Sequence, residues 1–167
     1  EEFSADPWPT WRYAGPGIRL VRELLCPRGR DLVILRWRLL AEGSSPVVLR
    51  VRPMLSGRDF HATQRENAGV RTEAAIHDHQ VSWHPYEGLP AVRAFHNGQY
   101  HHGPDWYRQV HYRIERERGL DHIEDWWSPG ECVFTLTPGH AAELVFTTET
   151  LPSFDVAQAV EVERLRR

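Results

Sequence analysis

The 167-residue chain contains no lysine, so all 20 of its Lys/Arg positions are arginine. That bias fits a GC-rich genome better than any function. No excess of one charge is present either. The formal net charge is −3 and the pI is near 6.4, with arginine mixed among Asp and Glu. Such a surface has no basic field to attract nucleic acid or an anionic membrane. The only cysteines, Cys26 and Cys132, lie far apart and outside any C-x-x-C pattern. They make no disulfide framework, and a reduced, cytoplasmic protein is the default expectation. No apolar run approaches the roughly 20 residues of a membrane span, and no signal peptide is evident. The chain opens "EEFSADPWPTW" without methionine and closes "VEVERLRR" without a helix stop. Both ends read as cut from something longer. What remains is enough chain for one domain with a single core.

Short strands separated by Gly and Pro fill most of the chain. In "LVILRWRLL", Val33, Leu35, Trp37 and Leu39 share one face, against Arg36 and Arg38. In "VVLRVRP", Leu49 and Val51 alternate with Arg50 and Arg52. Asn97-Gly98 in "VRAFHNGQYHHG" is a hairpin signal. "YRQVHYRIERE" reads as a strand with Val110, Tyr112 and Ile114 on one face. "ECVFTLTPGHAAELVFTTE" gives two more strands around Pro138-Gly139. Period two from about residue 18 to 149, with connections too short for crossover helices, predicts an all-β, antiparallel β-sandwich. The end differs. "SFDVAQAVEVERLRR" offers Ser153 and Asp155 as helix caps and predicts a helix from about 155, read as a linker to a further domain. The expected division is a sandwich over 1–152 and a linker helix over 153–167.

Four segments carry residues suited to chemistry. His77-x-His79 and His101-His102 invite a metal reading, since strand geometry would place His77 and His79 on one face. A cupin-type site also needs a glutamate soon after the pair. Glu87 comes too late, beyond Pro85, so no metal or other cofactor is expected. "RDFHATQREN" places Arg58, Asp59 and His61 in a strand-ending loop, where binding residues concentrate. Its bland alternative is a turn closed by an Arg58–Asp59 ion pair. "GPDWYRQ" sets Trp106 and Tyr107 just after a turn, as aromatics that could stack on a sugar ring. As neighbours in a strand they face opposite ways, leaving one at most free. "RGLDHIEDWWSPG" packs Asp121, Glu124 and Asp125 beside Trp126 and Trp127. A glycosidase pair needs two carboxylates facing each other across a bond, and nothing here supplies the opposite wall. No catalytic residue is therefore assigned.

In order, "RPMLSGRDFHATQREN", Trp83 with Pro85, "GLP", "PDWYRQVHYRIERERGLDHIEDWWSPG" and "LTPG" resemble the amino-terminal domain of bacterial and archaeal glycogen debranching enzymes, the amylo-α-1,6-glucosidase group. The long "DWYRQ…WWSPG" string is the specific part, and the likeness spans about residues 3 to 149. It implies a supersandwich-like β-domain that precedes a catalytic α/α barrel. The chain lacks the family's glycine-rich amino-terminal part and the barrel itself, so first strands are expected to be missing and no hydrolysis by this fragment alone. The parent would be an α-1,6-glucosidase acting on glycogen, limit dextrin or another α-glucan. Arg58, Asp59, His61, Trp106, Tyr107, Asp121, Glu124, Asp125 and Trp126 are then expected to help shape a glucan site beside the barrel. The alternatives are a purely structural interdomain scaffold and a freestanding carbohydrate-binding sandwich.

Overall fold

The computed structural model describes residues 1–40 and 45–167. The strands are β1 (Glu2–Ser4), β2 (Thr10–Gly15), β3 (Ile18–Leu25), β4 (Leu32–Leu39), β5 (Val47–Val51), β6 (Ala74–His77), β7 (Gln80–Trp83), β8 (Val92–His96), β9 (Gln99–His111), β10 (Ile123–Leu136) and β11 (Ala142–Thr147). Helix α1 (Arg113–Glu117) lies between β9 and β10, and α2 (Val156–Arg166) follows β11. Eight strands form one sheet in the order β1-β2-β3-β4-β11-β8-β7-β6, and three form a second, β5-β10-β9. Every pairing is antiparallel. The predicted antiparallel sandwich with a carboxy-terminal helix is the observed fold.

The large sheet is buried on both faces by different partners. Toward the small sheet it presents Trp37, Leu39, Val81, Trp83, Ala94 and Leu144, which meet Cys132, Phe134 and Leu136 of β10 and Val47, Leu49 and Val51 of β5. Trp83 is 1 % exposed, and burying a side chain of that size is worth roughly 2–3 kcal/mol. The opposite face gathers Leu25, Leu32, Ile34 and Val145 under Val156 and Val160 of α2, with Trp8 alongside. The Asp155 carboxylate accepts from the Gln158 N–H at 2.9 Å, so one of the two expected caps starts α2. The helix lies on the sheet. Beyond its reach the same face is a charge ladder, in which Arg36 lies 3.8 Å from Glu23 and 3.2 Å from Glu143. Arg36 and Arg38 thus keep the face expected of them, opposite Leu35 and Trp37.

Four local expectations are corrected. Asn97-Gly98 does not join a hairpin, because β8 belongs to the large sheet and β9 to the small one. It is a corner between layers. Asn97 donates to the Ala141 carbonyl at 2.8 Å and accepts from the Glu143 N–H at 2.9 Å. A Cβ on Gly98 would stand 2.5 Å from the Val133 carbonyl oxygen, so the close layer crossing explains the glycine. His77 and His79 do not share a strand face. His77 pairs with Gln80, which leaves Asp78 and His79 as the two turn residues between β6 and β7. Gly103-Pro104-Asp105 is no turn either and lies within β9. The register there runs from Asp105↔Ser128 to His102↔Gly130, so β9 absorbs an extra residue as a bulge. A second bulge separates Val110↔Glu124 from Tyr107↔Trp126 and holds Gln109 at φ 58°.

The fourth correction concerns "YRIERERGL", where β9 stops at His111 and α1 begins. Arg and Glu are good helix formers, and Arg113 lies 3.6 Å from Glu117 at i,i+4. Gly119, at φ 72°, ends the turn. Its N–H donates to the Arg116 carbonyl at 3.0 Å, while the Leu120 N–H reaches the Glu115 carbonyl at 3.0 Å. That is a Schellman motif. Strands β1 and β2 precede the residue-18 start of the predicted β region. Among the described residues no helix is long and apolar enough to cross a membrane.

Candidate functional site

The "RDFHATQREN" segment is not a free loop. After β5 the chain returns along β10 and is tied to it at several points. Leu55 bridges Trp127, with its N–H 2.8 Å from the Trp127 carbonyl. Farther on, Asp125 donates its N–H to the Gln64 carbonyl at 2.8 Å. The Asp125 carboxylate accepts from the Glu66 N–H at 2.9 Å and, on its other oxygen, from the Gln109 N–H at 2.8 Å. Those two bonds hold the Asp125 carboxyl below its usual range. One acid therefore joins three pieces of backbone: β10, the bulge of β9 and the loop.

Its neighbour Glu124 points to the other side and is 1 % exposed. Arg58 grips it through Nε on one oxygen and through Nη2, at 2.9 Å, on the other. The Tyr112 hydroxyl donates to Glu124 at 2.5 Å, and the Gln64 N–H at 3.3 Å. Trp126 in turn donates its indole N–H to the Tyr112 oxygen at 2.7 Å. Burial alone would push the Glu124 carboxyl up. The bonds from Arg58 and Tyr112, with the guanidinium charge, outweigh that and hold it below its usual value. The same contact to Glu124 raises Arg58. Desolvation and the bond to Glu124 raise Tyr112. The pair is ionised, dry on the carboxylate side and bidentate, the strongest arrangement available to these groups.

This network forms the floor of an open cleft of about 590 Å³ between the loop and the α1–β10 connection. Arg58, His61, Asp121 and Glu124 line it together, as do Phe60, Tyr112 and Arg118. The His61 N–H donates to the Asp59 carboxylate at 2.9 Å, so Asp59 is spent closing its own turn. The alternative of a turn closed by an Arg58–Asp59 ion pair does not form; of Asp59, Arg58 touches the carbonyl, at 3.1 Å. At the loop tip Phe60 is 80 % exposed, with its ring centre 3.9 Å from that of His61. Asp121 is exposed at the rim.

The remaining predicted residues sit elsewhere. Tyr107 pairs with Trp126 and Trp106 with Trp127, placing the two β9 aromatics on opposite faces of the β9–β10 ribbon. Tyr107 is exposed, with Arg52 at 5.8 Å from its ring centre, and Trp106 is half-buried. Neither lines the cleft. Asp125 lies on the loop-binding side, and Trp126 reaches the cleft only through Tyr112. Sequence reasoning missed Tyr112, Phe60 and Gln64. Tyr112 was hidden by the strand pattern. Only "ERERG", as a helix followed by its stop, could have shown that the chain turns there and brings Tyr112 over Glu124.

The chemistry open to this arrangement is limited. Glu124 has both oxygens engaged and is held ionised, so it has no proton to give as a general acid. Asp121 and Glu115 are the other carboxylates lining the cleft, and Glu115 is held 3.1 Å from Arg118. The cleft offers the Arg58 guanidinium, the Arg118–Glu115 ion pair, an imidazole, an exposed phenyl ring and the rim carboxylate of Asp121, a set suited to binding.

Comparison with known proteins agrees with the long "DWYRQ…WWSPG" string. No curated protein and no solved structure matches the chain. A family described as "Glycogen debranching enzyme N terminal" matches residues 1–143, which include both sheets up to the start of β11 and the whole cleft. With most of its length matched, the chain belongs to the glycogen debranching enzyme N-terminal family.

Proposed function

We propose that this domain is a non-catalytic wall of the glucan site in a glycogen debranching enzyme, set beside a catalytic α/α barrel supplied by another part of the polypeptide. The observation that carries this reading is the locked Arg58–Glu124–Tyr112 network under an open cleft. A carboxylate fixed in this way positions its neighbours and performs no acid–base step. His61, Asp121 and the outward edge of Arg58 hydrogen-bond sugar hydroxyls. Phe60 offers a flat apolar face to a ring, the part expected of Trp106 or Tyr107. Asp59, Glu124, Asp125 and Trp126 act as positioning residues, through the turn, the ion pair, the loop clamp and Tyr112 respectively. Tyr107 lies exposed along the ribbon and would meet only a longer glucan chain, whereas Trp106 faces the other side.

A second reading is supported by one specific observation. Phe60 and Leu120, at 80 % and 49 % exposure, line the cleft with apolar surface, as a seam against a neighbouring domain would require. Substituting His61 and Phe60 by Ala in a full-length debranching enzyme separates the two. A raised KM at unchanged melting temperature fits contact with glucan. A lowered melting temperature at unchanged KM fits the seam and removes the glucan-wall reading. Titration of the 167-residue chain with maltooligosaccharides, followed by tryptophan fluorescence, adds a direct test through Trp126.

A further inference from the structure

A different pocket lies at the opposite end of β9. It has a volume of about 450 Å³ and sits between the β6–β7 turn, the β8–β9 corner and the segment leading into α2. A run the length of β9 rises on the order of 40 Å, so this pocket and the cleft are separate places. Its notable member is His96, at 5 % exposure. The His96 Nδ1 lies 3.0 Å from the Gly98 carbonyl, which can only accept, so Nδ1 carries the proton. Nε2 is then a bare lone pair. It is buried and has no partner among the described residues. Burial also lowers the His96 pKa, which keeps that nitrogen an acceptor at neutral pH. A buried acceptor without a donor is costly, and such groups find partners in water or in a ligand.

The surroundings narrow the ligand. Phe95 and Phe154, both half-buried with ring centres 6.4 Å apart and planes 34° from parallel, make an apolar wall. Asp78, Gln80 and Ser153 supply polar groups around it. No guanidinium or ammonium lines the pocket, which argues against an anion. Among the described residues no three His, Cys, Asp or Glu side chains converge as metal ligands. An apolar wall, one fixed acceptor and the rim carboxylates of Asp78 and Glu143, which also only accept, fit a molecule with hydroxyl donors around an apolar ring face. We infer that this pocket binds a single uncharged pyranose unit, through a hydroxyl donated to His96 Nε2 and a ring face laid on Phe154. His79 is its cover. The exposed His79 ring packs edge-on to His96 with centres 6.4 Å apart, and the His79 carbonyl accepts from the His96 N–H at 2.9 Å, so access to Nε2 calls for rotation of the His79 side chain and not for movement of the turn.

The test is titration of the 167-residue chain with maltose, followed by the His96 Cε1–H NMR signal and the Asn97 and Gly98 amides. A saturable shift of these signals is expected, and it persists in His61→Ala, which alters only the cleft. His96→Asn keeps a donor for the Gly98 carbonyl but takes the acceptor away from the Nε2 position, because the shorter amide oxygen does not reach it. It should weaken binding about tenfold, the worth of one hydrogen bond. Phe154→Leu, which retains volume without the aromatic face, should weaken it severalfold and guards against loss of fold in the first variant. No shift at about 50 mM maltose, an unchanged Kd in His96→Asn, or saturation by cyclohexylammonium in place of maltose would each overturn the inference.

Discussion

Replacing Glu124 by Gln tests the network at its centre. The substitution keeps shape and removes charge. Glu124 accepts four hydrogen bonds, two of them from Arg58. A glutamine has one acceptor oxygen, and because Arg58 donates to both carboxylate oxygens the amide nitrogen faces a guanidinium N–H in either orientation, donor against donor. Removing one member of a buried ion pair costs about 3–5 kcal/mol, because the other charge stays behind. Arg58 is 26 % exposed and can recover some hydration, which places the expected loss at about 3 kcal/mol. In a domain of this size that is a melting-temperature drop of about 6–12 °C. Urea unfolding followed by tryptophan fluorescence measures it directly. The double variant Arg58→Met/Glu124→Gln removes the orphaned charge and should recover at least about 1 kcal/mol relative to Glu124→Gln alone. A loss below about 1 kcal/mol in the single variant, or strict additivity in the double, would show that the ion pair does not hold the loop.

The other predictions concern separate parts of the fold. Gly98→Ala should cost about 2 kcal/mol or more in urea unfolding, since the new methyl meets the backbone Val133 carbonyl and neither layer can retreat cheaply. Cys26 is exposed, whereas Cys132 is buried with its thiol pushed up to about 12, so a native-state Ellman titration should count one reactive thiol and unfolding should release the second. Stability should fall in two stages on acidification. Burial lowers His96 from 6.5, so the folded state resists its protonation and stability declines as pH falls below about 6.5. Glu124 and Asp125 are held below their usual 4.5 and 3.8, so their contributions are complete above those values and vanish as pH drops through the depressed ones. Urea midpoints across pH 3 to 8 check both limbs, and His96→Asn should flatten only the upper one.

Much of the sandwich is legible in the residues because period two survives wherever one face is buried. β4 and β5 show it plainly, with Leu35, Trp37 and Leu39, and Leu49 and Val51, all turned toward the other sheet. What the pattern hides is which sheet a strand joins. Asn97-Gly98 carries the chemistry of a two-residue hairpin, yet its neighbours pair with different partners. Local turn preference cannot report that, because the corner is decided by Asn97 clamping β11 and by the contact of Gly98 with β10. The Gly103-Pro104-Asp105 run fails for a related reason. β9 is an edge strand in the small sheet, so a proline costs it no pairing bond on the open side, and the bulge takes up the extra residue.

The site was half legible, and the missing half has one cause. Loop position was enough to select Arg58 and His61, and the density of acids selected Asp121 and Glu124; the fold brings those four to one cleft. The reading of Glu124 and Asp125 as like residues fails because their roles are set by which backbone comes back to meet them. Asp125 faces the amides of Glu66 and Gln109, 59 and 16 positions away, and Glu124 faces Arg58, 66 positions away. No spacing rule reaches that far. The consequence is testable in one residue. Tyr112→Phe leaves the ion pair intact but strips a hydroxyl that donates to Glu124 and accepts from Trp126. It should cost about 1.5–3 kcal/mol, the range for a hydrogen bond to a charged group, and should shift the Trp126 emission. If Tyr112→Phe leaves both stability and emission unchanged, the indole and the carboxylate are not linked, and Trp126 has no path to the cleft.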